Sequence, residues 1–277
     1  MNLVAEFINR HVAQNRTARE TTRILHREVI PHWGNWTIHE VRKRDVIVLL
    51  DAVRERGALV MANRVLAAVR KFFNWCVGRG ALEQSPCANI GMPTREHSRH
   101  RVLADEELRP LVNATRAVGF PFGPMVEFLT LTGQRRDEVS RMAWDQLDLD
   151  RHLWIIPPEH SKNGKPHAVY LSDEALRVLG EVPRTGTLIF SLDGRTHFQG
   201  YSKAKKRLDR ASGVSGWTLH DLRRTVVSGM ARLGIAPHVA DKILNHQSGT
   251  ISGVAAVYQR HEFLSERKEA LCRWGST

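Results

Sequence analysis

The apolar residues of this chain change their spacing partway along, and that change limits what it can fold into more than any other feature. Over the first ninety or so residues they recur three and four apart, which puts them on one side of successive helices. Leu3, Phe7, Ile8 and Val12 share a face, with Glu6, Asn9 and Arg10 on the polar side. Arg16 to Ile30 is a second, basic helical stretch, ended by Pro31 and Gly34. Arg44 to Arg56 carries Val46, Leu49, Leu50 and Val53 on one side, with Gly57 after it. Met61 to Gly78 is the longest and holds Val65, Leu66, Val69, Phe72, Phe73 and Trp75. Further on, the runs Leu153–Ile156 and Ala168–Leu171 read as strands. Between them, the Asn163–Gly164 pair of Ser161–Lys165 marks a tight hairpin turn. Helical spacing surrounds this hairpin, from Asp105, Pro121 and Arg136 before it to Asp173, Ser202, Thr218, Pro237 and Ser265 after it.

The periodicity breaks at Ser85 to Arg101, where Pro86, Gly91 and Pro93 precede Arg95, His97, Arg99, His100 and Arg101. We read 1–92 as a helical domain, 93–102 as a basic linker and 103–277 as a second domain. Such a linker is either a solvated connector or a segment that tracks a DNA backbone. The chain carries 41 Lys and Arg against 29 Asp and Glu, a net charge of +12. That surplus favours a polyanion partner, because each neutralised phosphate releases condensed counterions. A generally basic soluble protein has the same charge. Arg64, Arg70 and Lys71 on the longest helix either face phosphates or form a solvated face. No long uncharged apolar run suggests a membrane span, and the N-terminal residues lack the pattern of a secretory signal. Cys76, Cys87 and Cys272 are too scattered for a disulfide framework or a metal cluster. A reducing, cytoplasmic setting is expected.

Several residues are suited to phosphate chemistry. His220 and Arg223 stand three apart, so one helix face presents an imidazole and a guanidinium together. Thr218 is a plausible N-cap for that helix, with Asp221 three residues on. Arg135 follows Thr132–Gly133 near a helix start, where backbone amides and the dipole also favour anions. Glu138 can brace a nearby guanidinium, and on local grounds Arg136 competes with Arg135. Lys162 sits on the hairpin tip, with Lys165 as an alternative. His246 ends the helix that starts at Pro237. Tyr258 is one of three tyrosines, and alone it reads as a packing residue. Taken singly, each of these residues has an ordinary structural explanation.

Their order has none. The chain reads Thr-Gly-x-Arg-x-x-Glu, a hairpin Lys, His-x-Leu-Arg-Arg-Thr, Leu-x-His and Tyr. This resembles the tyrosine recombinase family, most closely the phage-type integrases of prophages and genomic islands. Trp217 to Thr225 and Ala256 to Arg260 carry the likeness best, and it extends over most of the chain. The resemblance implies a mainly α fold with a small antiparallel sheet. A helical core-binding domain and a mixed α/β catalytic domain would close as a clamp around duplex DNA. It implies that Arg135, Lys162, His220, Arg223 and His246 activate a phosphodiester, that Glu138 supports them, and that Tyr258 is the nucleophile. No metal and no cofactor is implied, since the phosphotyrosyl bond retains the phosphodiester energy. The implied partners are double-stranded DNA, a homotetramer assembled on recombination sites, and accessory DNA-bending or directionality proteins; the implied location is the nucleoid. DNA contacts would come from Arg64, Arg70, Lys71, Arg95, Arg99 and Arg101. Many integrases of this branch begin with an arm-binding domain, whereas this chain starts almost directly with the core-binding helices.

Other readings are a catalytically inactive DNA-binding protein of the same fold and a topoisomerase-like enzyme. The first has no need of the complete residue set. The second matches the motifs less well and lacks a reason for a separate core-binding helical domain.

Overall fold

A computed structural model describes residues 2–15, 17–246 and 261–277. The chain forms two compact units, Met1–Ser98 and Arg99–Thr277.

The first unit is helical. Helix α1 (Asn2–Phe7) runs on into a π-helical turn, Ile8–Val12. Helix α2 (Ala18–Ile24) leads through a second such turn, Leu25–Val29, into α3 (Ile30–Trp33). The sequence predicts a stop at Pro31, yet the helix reaches Trp33. Pro31 falls in the first turn of α3, where a missing backbone N–H costs little, and the wider π turn lies just before it. Helices α4 (Lys43–Glu55) and α5 (Leu59–Gly78) complete the core and bury the predicted apolar faces. Phe7, Leu49, Leu66 and Phe73 are all but inaccessible, and the Phe7 and Phe72 rings meet edge-on at 5.4 Å. The proline-containing segment after α5 is strapped back onto it. Buried Asn63 donates to the Thr94 carbonyl at 2.9 Å and to Glu96 at 2.7 Å, and accepts from the Thr94 amide at 3.1 Å.

The second unit is built around α7 (Phe122–Thr132), an apolar helix whose Met125, Val126 and Phe128 are fully buried. Helix α6 (Asp105–Val118) packs on it, and α8 (Arg136–Ser140) follows it after a short turn. A three-stranded antiparallel sheet comes next, in the order β1 (Leu147–Asp148), β2 (Leu153–Ile156), β3 (His167–Tyr170). The sequence predicts only β2 and β3; a two-residue β1 is too short to show a period. Trp154 and Ile156 of β2 and His167 and Val169 of β3 point to the core. Helices α9 (Asp173–Gly180), α10 (Tyr201–Ser212), α11 (Leu219–Arg232) and α12 (Pro237–Ile243) follow, and α13 (Leu264–Gly275) closes the unit. Leu271 and Trp274 of α13 pack inside their own unit. The Trp274 indole donates to the Thr130 carbonyl at 2.8 Å, and its ring fills the space a side chain at Gly229 would need. Among the described residues no helix is long and apolar enough to cross a membrane.

Candidate active site

The site gathers where α7, α11 and α12 end or begin. Helix α7 ends at Gly133, whose φ of 64° is left-handed, and a side chain there would press on Leu244 and Val226 at 3.1 Å. Glycine meets both demands. The turn leaves Arg135 at the N-cap of α8. Glu138, 3% exposed, accepts from the Arg135 amide at 3.1 Å and from its Nη1 at 2.9 Å. Nη2 of the same guanidinium reaches the Asn245 carbonyl at 3.4 Å. Arg136 takes another direction, with Nε on Asp137 at 2.7 Å and its guanidinium over the Tyr201 ring. Of the two arginines, Arg135 is the one whose guanidinium reaches the carbonyl that follows α12.

Helix α11 supplies Arg223 and His220. Its N-terminus is fixed by Asp221, which is fully buried and accepts from the Thr218 amide at 2.8 Å, the Thr218 hydroxyl at 2.9 Å and Arg224 at 2.5 Å. Burial alone would raise the Asp221 pKa; the Thr218 and Arg224 bonds outweigh it and hold the carboxyl below its usual range. Arg223 is 4% exposed and donates Nη1 to the Gly133 carbonyl at 2.8 Å and Nη2 to the Leu244 carbonyl. Among the described residues no carboxylate lies within ion-pair distance of Arg223. Burial, and then the charge of Arg135, lowers its pKa to about 9. The guanidinium is therefore still charged at neutral pH, and its hydrogen bonds among the described residues are to the carbonyls of Gly133 and Leu244. His220 is exposed, and partial desolvation with the charges of Arg224 and Arg223 keeps its pKa below the ordinary value.

Helix α12 leads to Leu244, Asn245 and His246. The His246 Nδ1 lies 3.2 Å from an Asp241 carboxylate oxygen, and its pKa is lowered by desolvation and by Arg223. Lys162 is exposed on the hairpin between β2 and β3. Tyr258 lies outside the described residues. Arg135, Arg223 and His246 therefore meet at the end of α12, His220 shares the helix of Arg223, and Lys162 rides on the adjoining hairpin.

Two core-facing residues at this place escape the sequence reading. Gln134 donates Nε2 to the Ile243 carbonyl at 2.9 Å, and His167 approaches the same oxygen with Nε2 at 3.0 Å. Of the other basic residues, Arg64, Lys71 and Arg95 are exposed. Arg70 is bonded to the Ile90 carbonyl at 2.5 Å, Arg99 to the Gly216 carbonyl at 2.8 Å and to Asp221, and Arg101 to Glu107. These last three thus each carry an intramolecular partner on part of the guanidinium.

Two guanidiniums and a nearby pair of imidazoles, with Glu138 on Arg135 and Asp241 on His246, are equipped to hold a tetrahedral anion and to move protons on its oxygens. The fold and site together define a class: a two-unit, mainly helical protein with a cationic cluster in its second unit. The family comes from comparison. Residues 2–92 match the phage integrase central domain and residues 101–263 match the phage integrase family, so the chain belongs to the phage integrase family. Prophage integrase IntA of Escherichia coli (strain K12) is 24% identical over 269 residues, 93% of this chain and 64% of its own length. The chain thus spans less than two thirds of that relative. Tyrosine recombinase XerC of Roseiflexus castenholzii is 25% identical over 276 residues, 90% of this chain and 86% of its own length. Among solved structures, a lambda integrase tetramer bound to a Holliday junction superposes with a TM-score of 0.72 at 18% identity, over 94% of this chain and 77% of the other. That likeness shows the fold.

Proposed function

We propose that this chain is a site-specific DNA recombinase of the tyrosine type, which integrates or excises a mobile element. The observation that carries the reading is Arg223. Among the described residues this buried guanidinium is bonded to two carbonyls and to no carboxylate, so it keeps a positive charge that a DNA phosphate, with Arg135 on its other side, would neutralise.

In this reading Tyr258 Oη attacks phosphorus and the bond to the 5′ oxygen breaks. A free phenol has a pKa of about 10, so attack at neutral pH needs a base. His220, held neutral by its depressed pKa, accepts that proton. Lys162 Nζ gives a proton to the departing 5′ oxygen. Arg135 and Arg223 hold the nonbridging oxygens as charge builds on them. His246 contacts a nonbridging oxygen through Nε2. Its Nδ1 hydrogen faces Asp241, so donation from Nε2 requires the imidazolium, which Asp241 and the phosphate favour together. The product is a 3′-phosphotyrosyl bond. Attack on it by a 5′ hydroxyl from another strand reverses the chemistry on a new partner, with no external energy source. Four copies on two duplexes complete an exchange, with Arg64, Lys71 and Arg95 among the DNA-backbone contacts.

Nicked suicide substrates tiled across the ends of the encoding element test this reading. A protein–DNA adduct that survives denaturant is expected, and it should vanish in Tyr258→Phe while DNA binding persists. An adduct that forms equally in Tyr258→Phe, or none on any tile, would refute the assignment.

A further inference from the structure

The hairpin that carries Lys162 is tied to the end of α12 by a pair of asparagines next to the two proton-handling residues. Asn163 follows Lys162, and Asn245 precedes His246. Asn163 donates Nδ2 to Asn245 Oδ1 at 2.5 Å, while Asn245 donates Nδ2 to the Ser161 hydroxyl at 3.1 Å. The remaining Asn163 oxygen organises the turn itself, accepting from the Ser161 hydroxyl at 2.7 Å and from the Lys165 amide at 3.3 Å. Asn245 is built for its place. Its φ is 53°, in the left-handed region that asparagine tolerates better than most residues, and its carbonyl takes Arg135 at 3.4 Å. One residue thus touches the hairpin through its side chain and Arg135 through its backbone, and its next neighbour is His246.

We propose that Asn163 and Asn245 form a latch that sets the position of Lys162 for leaving-group protonation. They are positioning residues and touch no substrate atom. The argument is geometric. Lys162 has a long flexible side chain on an exposed turn, and β2 and β3 are each only four residues long. A general acid must come within hydrogen-bond reach of the departing oxygen, and a misplacement of about 1 Å costs on the order of a hundredfold in rate. The latch fixes the turn at the residue adjoining Lys162, to the element that also seats Arg135.

The proposal rests on Lys162 being the acid, and the test separates the two claims. Each variant is assayed on two suicide substrates, one with the ordinary 5′ oxygen and one with a bridging 5′ sulfur. A thiolate leaves without a proton, having a far lower pKa than an alkoxide. Asn245→Gly suits the left-handed backbone and removes only the side chain; Asn163→Ala opens the latch from the other side. Both should slow cleavage of the oxygen substrate by roughly tenfold to a hundredfold, stay within about threefold of the parent chain on the sulfur substrate, and keep their DNA affinity. Lys162→Ala should show the same selective rescue. A latch variant equally slow on both substrates, or slow on neither, overturns the latch while Lys162 stands. A Lys162→Ala defect that persists on sulfur removes the acid and overturns both.

Discussion

His167 lets the electrostatics of the site be read as stability. It is 7% exposed on β3, with Nε2 3.0 Å from the Ile243 carbonyl oxygen. A carbonyl only accepts, so Nε2 carries the hydrogen of a neutral ring. Burial, then the charge of Arg267, lowers the pKa to about 3; Arg223 and Arg135 add to this, and the carbonyl opposes it. An unfolded histidine titrates near about 6.5. Below that pH the unfolded chain takes up a proton that the folded chain refuses. Stability is therefore full above the unfolded pKa and falls with pH until the folded ring itself protonates. Between about pH 7.5 and about pH 5 this single ring should cost about 2 kcal/mol. His167→Gln removes the titration and keeps an N–H for the Ile243 carbonyl. Urea midpoints of the second unit, followed by pulse proteolysis at both pH values, give the comparison. The other histidines titrate in both proteins and cancel. The variant should lose about 2 kcal/mol less than the parent on acidification. Equal acid sensitivity in the two would mean that the His167 ring is not held neutral by the fold, and the reasoning fails.

Arg223→Ala should cut adduct formation by roughly a thousandfold and Arg135→Ala by roughly a hundredfold, because Glu138 already offsets part of the Arg135 charge; gel-shift affinities of both should stay near that of the parent. Arg223→Ala also strands the Gly133 and Leu244 carbonyls, so its unfolding free energy should drop by about 2 kcal/mol, and reversal of the two cleavage defects would contradict the charge argument. For His246, the imidazole pKa followed by NMR should lie below the ordinary value in the free protein and rise when a phosphate-bearing DNA core site binds; a pKa that stays put would remove His246 from the phosphate.

Much of the fold was legible because helices announce themselves through spacing. The faces of α4 and α5 and the hairpin turn at Asn163–Gly164 are local properties, and they stand where the pattern puts them. What was illegible depends on pairing across the chain. Arg135 and Arg136 are indistinguishable until the end of α12, 110 residues away from Arg135, offers its carbonyl. His167 was hidden by one residue of register: a strand read from Ala168 leaves it outside, whereas its parity with Val169 puts it on the buried face. Asn163 and Asn245 looked like a turn former and a helix-end residue, and both are; their bond spans 82 residues, so no local pattern signals it. The same limit applies to Gln134 and Ile243, 109 residues apart.

Those long-range partners converge on consecutive carbonyls at the end of one short helix. Ile243 accepts from Gln134 and His167, Leu244 from Arg223, and Asn245 from Arg135. The last carbonyls of a helix have no partner within it and carry the negative end of its dipole. Using them as the counter-charge has a consequence that carboxylates would not have. A carboxylate beside Arg223 would cancel its charge and compete directly with a phosphate for the same guanidinium hydrogens. Carbonyls orient the guanidinium through hydrogen bonds of partial charge, so its geometry is fixed while most of its positive charge is retained. The residue that follows these carbonyls is His246, and Tyr258 lies twelve positions further along. The stretch of chain that bears the proposed nucleophile is thus entered from the point where the proposed phosphate-holding arginines are fastened. On the proposed mechanism, the contacts of Gln134 and His167 with the Ile243 carbonyl therefore help to place the carbonyls that orient Arg223 and Arg135.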